Sequence, residues 1–426
     1  MKKGLLRIVF AFVIWVAVAW DCEGQTFPWA KCSVGNAISV EDMGYAISLD
    51  TNRNVFITGW FYSQFMTIGT TTLNNPTGQC QLFTAKYDSN GNSLWATKPI
   101  ETISSGDNGY SITTDLSGNS FITGSFASPQ MVFGTYTITN VGSSSIFLAK
   151  YDTNGNILWA KGFGGGIDDA GFSICTDIAG NVFVTGGFTS PSVVFGGYTL
   201  TNLGIQSAVF IAKFDSNGNV LWAKSAGGIL SDYALSVSTD ISGNAFIAGR
   251  YRSPTITFGA TTFTNVGGID KIFLTKYDGS GNVLWAKSPA STSNDDPSSI
   301  NTDASGNVYM TGIFSSPSLA FGTSTLTNIG IANVFVAKYD ANGNVLWAKK
   351  AGGTSADGGS GISSYTGGVY VSGDFNSPWM TFGTYTLISP LVQFIQDSLL
   401  NMDLTENFFA QQQLQAKTLM ELARIN

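Results

Sequence analysis

The sequence contains no histidine. That absence excludes Ser-His-Asp and Cys-His nucleophilic mechanisms and histidine-ligated zinc or haem. Charge is also scarce, at 12% of the 426 residues, with a net charge of -7 and no basic stripe. Nucleic acid is therefore not an expected partner, because phosphate binding needs clustered Lys and Arg. Cysteine is limited to Cys22, Cys32, Cys80 and Cys175, which is no disulfide framework. A Cys32–Cys80 bridge stays open for an oxidising compartment. No stretch is long enough for a transmembrane helix, which needs about 20 apolar residues. No phosphate-binding Gly-rich motif occurs in a strand-to-helix setting.

Residues 1–25 read as a secretory signal peptide, with Lys2, Lys3 and Arg7 ahead of a 13-residue apolar run from Ile8 to Trp20. The expected location is secreted, or on a bacterial outer surface. A lipid anchor at Cys22 is an alternative, although Trp20-Asp21 replaces the small residues such an anchor wants.

What the sequence has in abundance is a repeat. Leu-Trp-Ala recurs at Trp95, Trp159, Trp222, Trp285 and Trp347, spaced 64, 63, 63 and 62 residues apart, and Trp29-Ala30-Lys31 stands 66 residues before the first. A fixed period of this size means that each unit is one supersecondary element burying its apolar face against its neighbours. Each repeat carries four strand-like runs, for example Phe172–Thr176, Val182–Gly186, Val209–Lys213 and Val220–Lys224. Two tight turns recur. Asp177-Ile178-Ala179-Gly180-Asn181 joins runs one and two, and Asp152-Thr153-Asn154-Gly155-Asn156 represents those joining runs three and four.

Four antiparallel strands, repeated six times with the last copy incomplete, predict an all-β protein, a β-propeller over residues 26–388. A straight solenoid is the alternative. Phe27–Lys31 reads as a lone fourth strand that closes a ring. After Ile388 the pattern stops and helix formers such as Ala410–Ala416 follow, so residues 389–426 are expected to be helical or disordered.

The elements Gly-Asn-x-Phe-x-Thr-Gly, Phe-x-Ala-Lys-Tyr-Asp, Asn-Gly-Asn-x-Leu-Trp-Ala and Gly-Gly-x-x-x-Asp resemble the bacterial SBBP-type β-propeller repeat, over roughly residues 27–388. The resemblance implies a secreted or surface bacterial protein, often seven-bladed, where six repeats are counted here. The Phe-Gly-x-x-Thr-Leu-Thr-Asn arm at Phe195, Phe321 and Phe382 looks like a variant of Bacteroidota-type secreted proteins.

Both Asp/Gly turns fall on one side of every repeat, which leaves the long connections on the other. Long loops over a rigid scaffold carry binding residues more often. Two columns of the repeat are candidates. An aspartate enters the innermost strand at Asp42, Asp107, Asp169, Asp232, Asp295 and Asp357; it is either a Ca2+ site, since hard cations want carboxylates, or a cap on its own loop. A variable column follows the Thr-Gly of strand two: Trp60, Ser125, Gly187, Arg250, Ile313 and Asp374. From it Trp60, Arg250 and Asp374 are the ligand-binding candidates. The Asp-x-Asn-Gly-Asn turns resemble an EF-hand start but lack its bidentate acid: the twelfth position from Asp88 is Pro99, and from Asp340 it is Ala351. The repeated tryptophans pose the same choice between a sugar platform and packing, and their identical register favours packing. The sequence thus points to a non-catalytic scaffold that binds protein or glycan, without a cofactor. The alternatives are a structural module of a larger surface protein and a carboxylate-based glycosidase or lyase.

Overall fold

The tight Asp turns set the architecture. In Asp152–Asn156 one carboxylate oxygen, Oδ1, accepts the amides of Asn154 and Asn156, each at 2.8 Å, and Oδ2 accepts the Asn156 side-chain amide at 2.9 Å. The carboxylate replaces solvent for three donors and reverses the chain within five residues. The β-branched and aromatic runs on either side are thereby forced into antiparallel pairs.

The structure is a computed structural model and describes residues 34–35, 42–101, 106–365, 368–388, 396–403 and 408–409. All regular structure among them is β, and the protein is of the β-propeller class. The chain divides into two compact units, Met1–Ser225 and Ala226–Asn426. In the N-terminal unit, sheet A comprises Met43–Leu49, Val55–Phe61, Gln81–Tyr87 and Ser93–Thr97. Sheet B comprises Asn108–Thr114, Ser120–Phe126, Ser145–Tyr151 and Ile157–Phe163, and sheet C comprises Asp169–Thr176, Val182–Phe188, Ala208–Phe214 and Val220–Ala226. The C-terminal unit repeats the plan in sheets D, E and F, whose first strands are Asp232–Thr239, Asp295–Thr302 and Asp357–Tyr365. Within each sheet the order follows the sequence.

Between strands two and three of each sheet runs a separate two-stranded arm, such as Gln130–Phe133 with Tyr136–Thr139. The arm packs back on the exit of the preceding sheet: Val132 pairs with Ile100 in the N-terminal unit, and Phe382 with Ala351 in the C-terminal unit. Its Phe133 and Phe382 rings are fully buried. This is the physical role of the Phe-Gly-x-x-Thr segment.

The tail corrects one expectation. Gln396–Asp403 is a regular strand paired along its full length with Gly368–Phe375, and Phe408–Phe409 pairs with it in turn, so sheet F has four strands. Backbone pairing needs donors and acceptors in register, not the Phe-x-Ala-Lys-Tyr-Asp side-chain signature, so an atypical sequence fills the place. The proposed strand Phe27–Lys31 and the rest of the tail lie outside the described residues.

Strands two and three are buried on both faces, as in Phe147, Leu148 and Ala149 of sheet B. The sheets of one unit are joined by a recurring polar clamp. Lys86, on strand three of sheet A, lies over the Phe56 ring at 4.7 Å and 3.7 Å from Asp50. Its Nζ donates to the Thr153 carbonyl of sheet B at 3.1 Å, and Trp95 Nε1 donates to the same oxygen at 3.2 Å. Lys150 and Trp159 repeat this on Ser216 at 3.1 and 3.2 Å, and Lys276 and Trp285 on Ala341 at 3.2 and 3.0 Å. Gly155, at φ 85°, lies against the Trp95 ring so closely that a Cβ would stand 2.7 Å from it. Trp159 and Trp222 are buried and Trp95, Trp285 and Trp347 half-buried, so the repeated indoles are packing groups between sheets, not an open platform.

Replacing Trp159 by Ala removes both the ring and a donor to Ser216, and the expected cost is roughly 3–5 kcal/mol. Urea unfolding of the variant measures it; a loss under about 1 kcal/mol would show that the indole is dispensable.

Candidate functional site

The end of each sheet that carries the long connections is built around one aspartate and one bulge. Asp169 Oδ1 accepts the amides of Thr189 and Ser190 at 3.1 and 3.2 Å, while Oδ2 accepts the Gly165 amide at 2.9 Å and the Ser190 hydroxyl at 2.7 Å. Asp232 is held in the same way by Arg252, Ser253 and Gly228, and Asp357 by Asn376, Ser377 and Gly353. Asp295 accepts the amides of Ser315 and Ser316 and the Ser316 hydroxyl. Asp107 bonds Ala127 and Ser128, and Asp42 bonds Tyr62 and Ser63. Burial pushes the carboxyls of Asp107, Asp169, Asp232 and Asp295 above the ordinary value, and the hydrogen bonds from their serines work against it. Each of these carboxylates sits in its own sheet. Among the described residues no group of three or more His, Cys, Asp or Glu could hold a metal ion.

Two residues past the aspartate-proximal pair, every first strand slips register. Gly109 faces Gly124 and Ser111 faces Thr123, so Tyr110 is the extra residue of a β-bulge. Tyr45, Phe172, Leu235, Ser298 and Ser360 hold the equivalent place. The bulge explains the glycine of the Thr-Gly motif. A Cβ on Gly124 would lie 1.8 Å from the Asn108 carbonyl oxygen, so only hydrogen fits. Bulges bend a strand and re-aim a side chain, and here the bulged column adjoins the variable column.

In the N-terminal unit these two columns assemble an aromatic patch. Tyr45 and Trp60 rings lie 5.0 Å apart, Tyr45 and Tyr110 5.7 Å, Trp60 and Tyr110 6.1 Å, and Tyr110 and Phe172 5.8 Å. Tyr45 is 53% exposed and the other three rings are half-buried. The Ser125 hydroxyl donates to the Tyr110 hydroxyl at 3.5 Å. Burial and the neighbouring Tyr110 push the Tyr45 phenol above its ordinary value. Trp60 thus has companions that the sequence reading missed. The available signal was the run Tyr45, Tyr110, Phe172, three aromatics in one repeat column.

In the C-terminal unit the same columns are mixed, with Leu235, Ser298 and Ser360 at the bulge and Arg250, Ile313 and Asp374 beside it. Arg250 Nη1 donates to both Asp296 oxygens at 3.0 and 3.1 Å, and its guanidinium lies 5.4 Å from the Tyr233 ring centre. Arg252 grips Asp270 through Nε and Nη2 at 3.1 and 2.6 Å. Asp374 is half-buried beside Gly358, and burial raises its pKa. Of the three ligand-binding candidates, Trp60 belongs to the N-terminal unit and Arg250 and Asp374 to the C-terminal one. Cys80 is buried with its thiol directed at the Asn108 side chain, 3.2 Å away, and burial pushes it up to about 12, far from a reactive thiolate. Cys32 lies outside the described residues.

With this geometry in hand, comparison with known proteins gives distant likenesses. No family model matches the chain. An uncharacterized WD repeat-containing protein of Acanthamoeba polyphaga mimivirus is 25% identical over 412 residues, which cover 78% of this chain and 29% of that protein. The regulatory protein FlaEY of Caulobacter vibrioides is 26% identical over 164 residues, covering 37% of this chain and 17% of that protein. The chain therefore spans less than a third of the length of these curated relatives. Among solved structures, a protein of unknown function from Dyadobacter fermentans aligns with a TM-score of 0.42 at 12% identity, covering 84% of this chain and 93% of that one. The PQQ-bound aldose sugar dehydrogenase of Streptomyces coelicolor aligns with a TM-score of 0.38 at 8% identity, covering 87% and 98%. At these scores neither carries an argument about activity. The chain is a β-propeller repeat protein; its SBBP character rests on the motifs alone.

Two outcomes follow. Gly124→Ala forces a Cβ onto the Asn108 carbonyl and is expected to cost roughly 1–3 kcal/mol in chemical denaturation; a neutral result would mean that the bulge is not required. Calcium is expected to leave the melting temperature unchanged. A calcium-dependent rise that disappears in Asp169→Asn would establish a cation site instead, because a ligand bound only to the folded state stabilises it.

Proposed function

We propose that the chain is a non-catalytic β-propeller scaffold of the SBBP-repeat kind, secreted or displayed on a bacterial surface, whose long-connection side binds a protein or glycan ligand. The observation that supports this most is the partly exposed aromatic patch of Tyr45, Trp60, Tyr110 and Phe172, set on bulges at that side. Partly buried aromatics held on regular strands give contact area at low entropic cost, which is what recognition surfaces use. Secretion is supported by the basic and apolar order of residues 1–25. No helix among the described residues is long and apolar enough to cross a membrane. Fold alone does not assign a function, so the patch bears the argument.

Screening the full chain against protein and glycan arrays tests the reading. The expected result is a defined ligand whose binding falls in Trp60→Ala and Tyr45→Ala. Hydrolysis of an arrayed glycan would replace the scaffold by an enzyme, and a ligand unaffected by either substitution would move the site elsewhere.

A further inference from the structure

The repeat supplies its own control for which faces a sheet covers. Inside each unit, one aliphatic side chain on strand one packs onto strands two and three of the preceding sheet. Ile112 lies with Phe56 and Leu82, Ile174 with Phe121 and Ile146, Ile300 with Phe246 and Ile272, and Ile362 with Tyr309 and Val334. These four aliphatics are between 4% and 8% exposed. Their counterpart in sheet A, which begins the series, is Ile47, and it is 39% exposed. Leu49, two residues further along the same face, is equally exposed. The column is buried by a preceding sheet wherever its unit provides one, so the occupant of this face is readable from the other copies.

Sheet F, which ends the series, is less covered on the opposite face. Phe56, Phe121, Phe246 and Tyr309 are buried under the sheet that follows, whereas Tyr370 in the same column is half-buried. Thr58, Thr123 and Thr311 are buried too, and a Cβ on Gly109, Gly171 or Gly359 of the following sheet would stand 2.4 Å from their hydroxyls. Ser372 in that column is half-buried. The two faces are complementary by construction, because sheet B meets sheet A through these same columns. They also lack the polar ties of an interior seam. Thr114, Thr176, Thr302 and Ser364 each donate to a strand-one carbonyl of the preceding sheet, and their counterpart in sheet A is Leu49. Lys86 pairs opposite Phe56, and Asn401 holds that register position opposite Tyr370. A seam without these ties strands no donor when it opens, which suits a reversible contact.

We propose that the Ile47 face of sheet A in one copy of the chain docks on the Tyr370 face of sheet F in a second copy, repeating between molecules the packing found between sheets. Such a head-to-tail contact is heterologous and leaves one face open at each end, so association continues past the dimer unless the assembly closes into a ring. Sedimentation velocity of the full chain over about a hundredfold range of concentration tests it. Dimers and larger species that grow with concentration are expected. Ile47→Lys and Ser372→Lys each place an ammonium group on one face, at positions that are already partly exposed. Each raises the dissociation constant at least about tenfold while the urea midpoint stays that of the parent. Leu49→Lys repeats the effect of Ile47→Lys at a second position. An equimolar mixture of Ile47→Lys and Ser372→Lys chains restores the dimer and stops there, because each supplies the face that the other lacks. A parent chain that stays monomeric throughout overturns the proposal. Association that survives the substitutions overturns it as well, and so does a mixture that fails to pair, since the contact would then not run head to tail.

Discussion

One backbone carbonyl in each of sheets B, C and E ties neighbouring sheets of a unit together. Thr153, Ser216 and Ala341 sit in the turn between strands three and four, and each accepts a lysine and a tryptophan N–H from the preceding sheet of its own unit. The lysine is largely out of water, a costly position without compensation. Compensation comes from an aspartate at 3.2–3.7 Å, the face of an aromatic ring and the carbonyl itself. The interaction therefore couples both tight turns, strands two to four and the next sheet. It fixes why Leu-Trp-Ala, Ala-Lys-Tyr and Asn-Gly-Asn recur together: shifting any one of them by a residue would put a buried ammonium group beside nothing.

This division of labour frees the opposite end of each sheet. There the buried aspartates secure the loops, the Thr-Gly glycine admits the bulge, and two columns are left without a structural obligation. Their contents diverge accordingly: Tyr45, Tyr110, Phe172 and Trp60 in the N-terminal unit, Leu235, Ile313 and the Arg250–Asp296 ion pair in the C-terminal unit. Two columns that vary beside a repeated framework, close to the long connections, are the physical basis for placing recognition there.

Much of this was legible in the sequence because it obeys a local rule. The Asp turns announce themselves by composition, the strands by β-branched and aromatic runs, and the packing role of the tryptophans by their constant register. The bulges were not legible. A register slip depends on the partner strand, and Tyr110 reads as one more strand residue until Gly109 and Ser111 are seen to face adjacent positions. Trp60 stood out as a column that varies, but its contacts with Tyr45 and Tyr110 come from different strands and needed the fold. The strand Gln396–Asp403 was missed for the opposite reason. Its pairing with Gly368–Phe375 uses backbone groups that every residue carries, so the lost side-chain signature was misleading. Arg250 illustrates a further limit: its partner Asp296 comes from a strand of the next sheet, so the ion pair needed the fold.

The clamp is tested most directly by a double-mutant cycle on Lys150→Met and Trp159→Phe, which remove the two donors to the Ser216 carbonyl separately and together. Urea unfolding gives the coupling. If the two donors act on one acceptor as described, their effects are non-additive by at least about 0.5 kcal/mol. Additivity within about 0.3 kcal/mol would contradict it, and would mean that lysine and tryptophan stabilise the repeat independently.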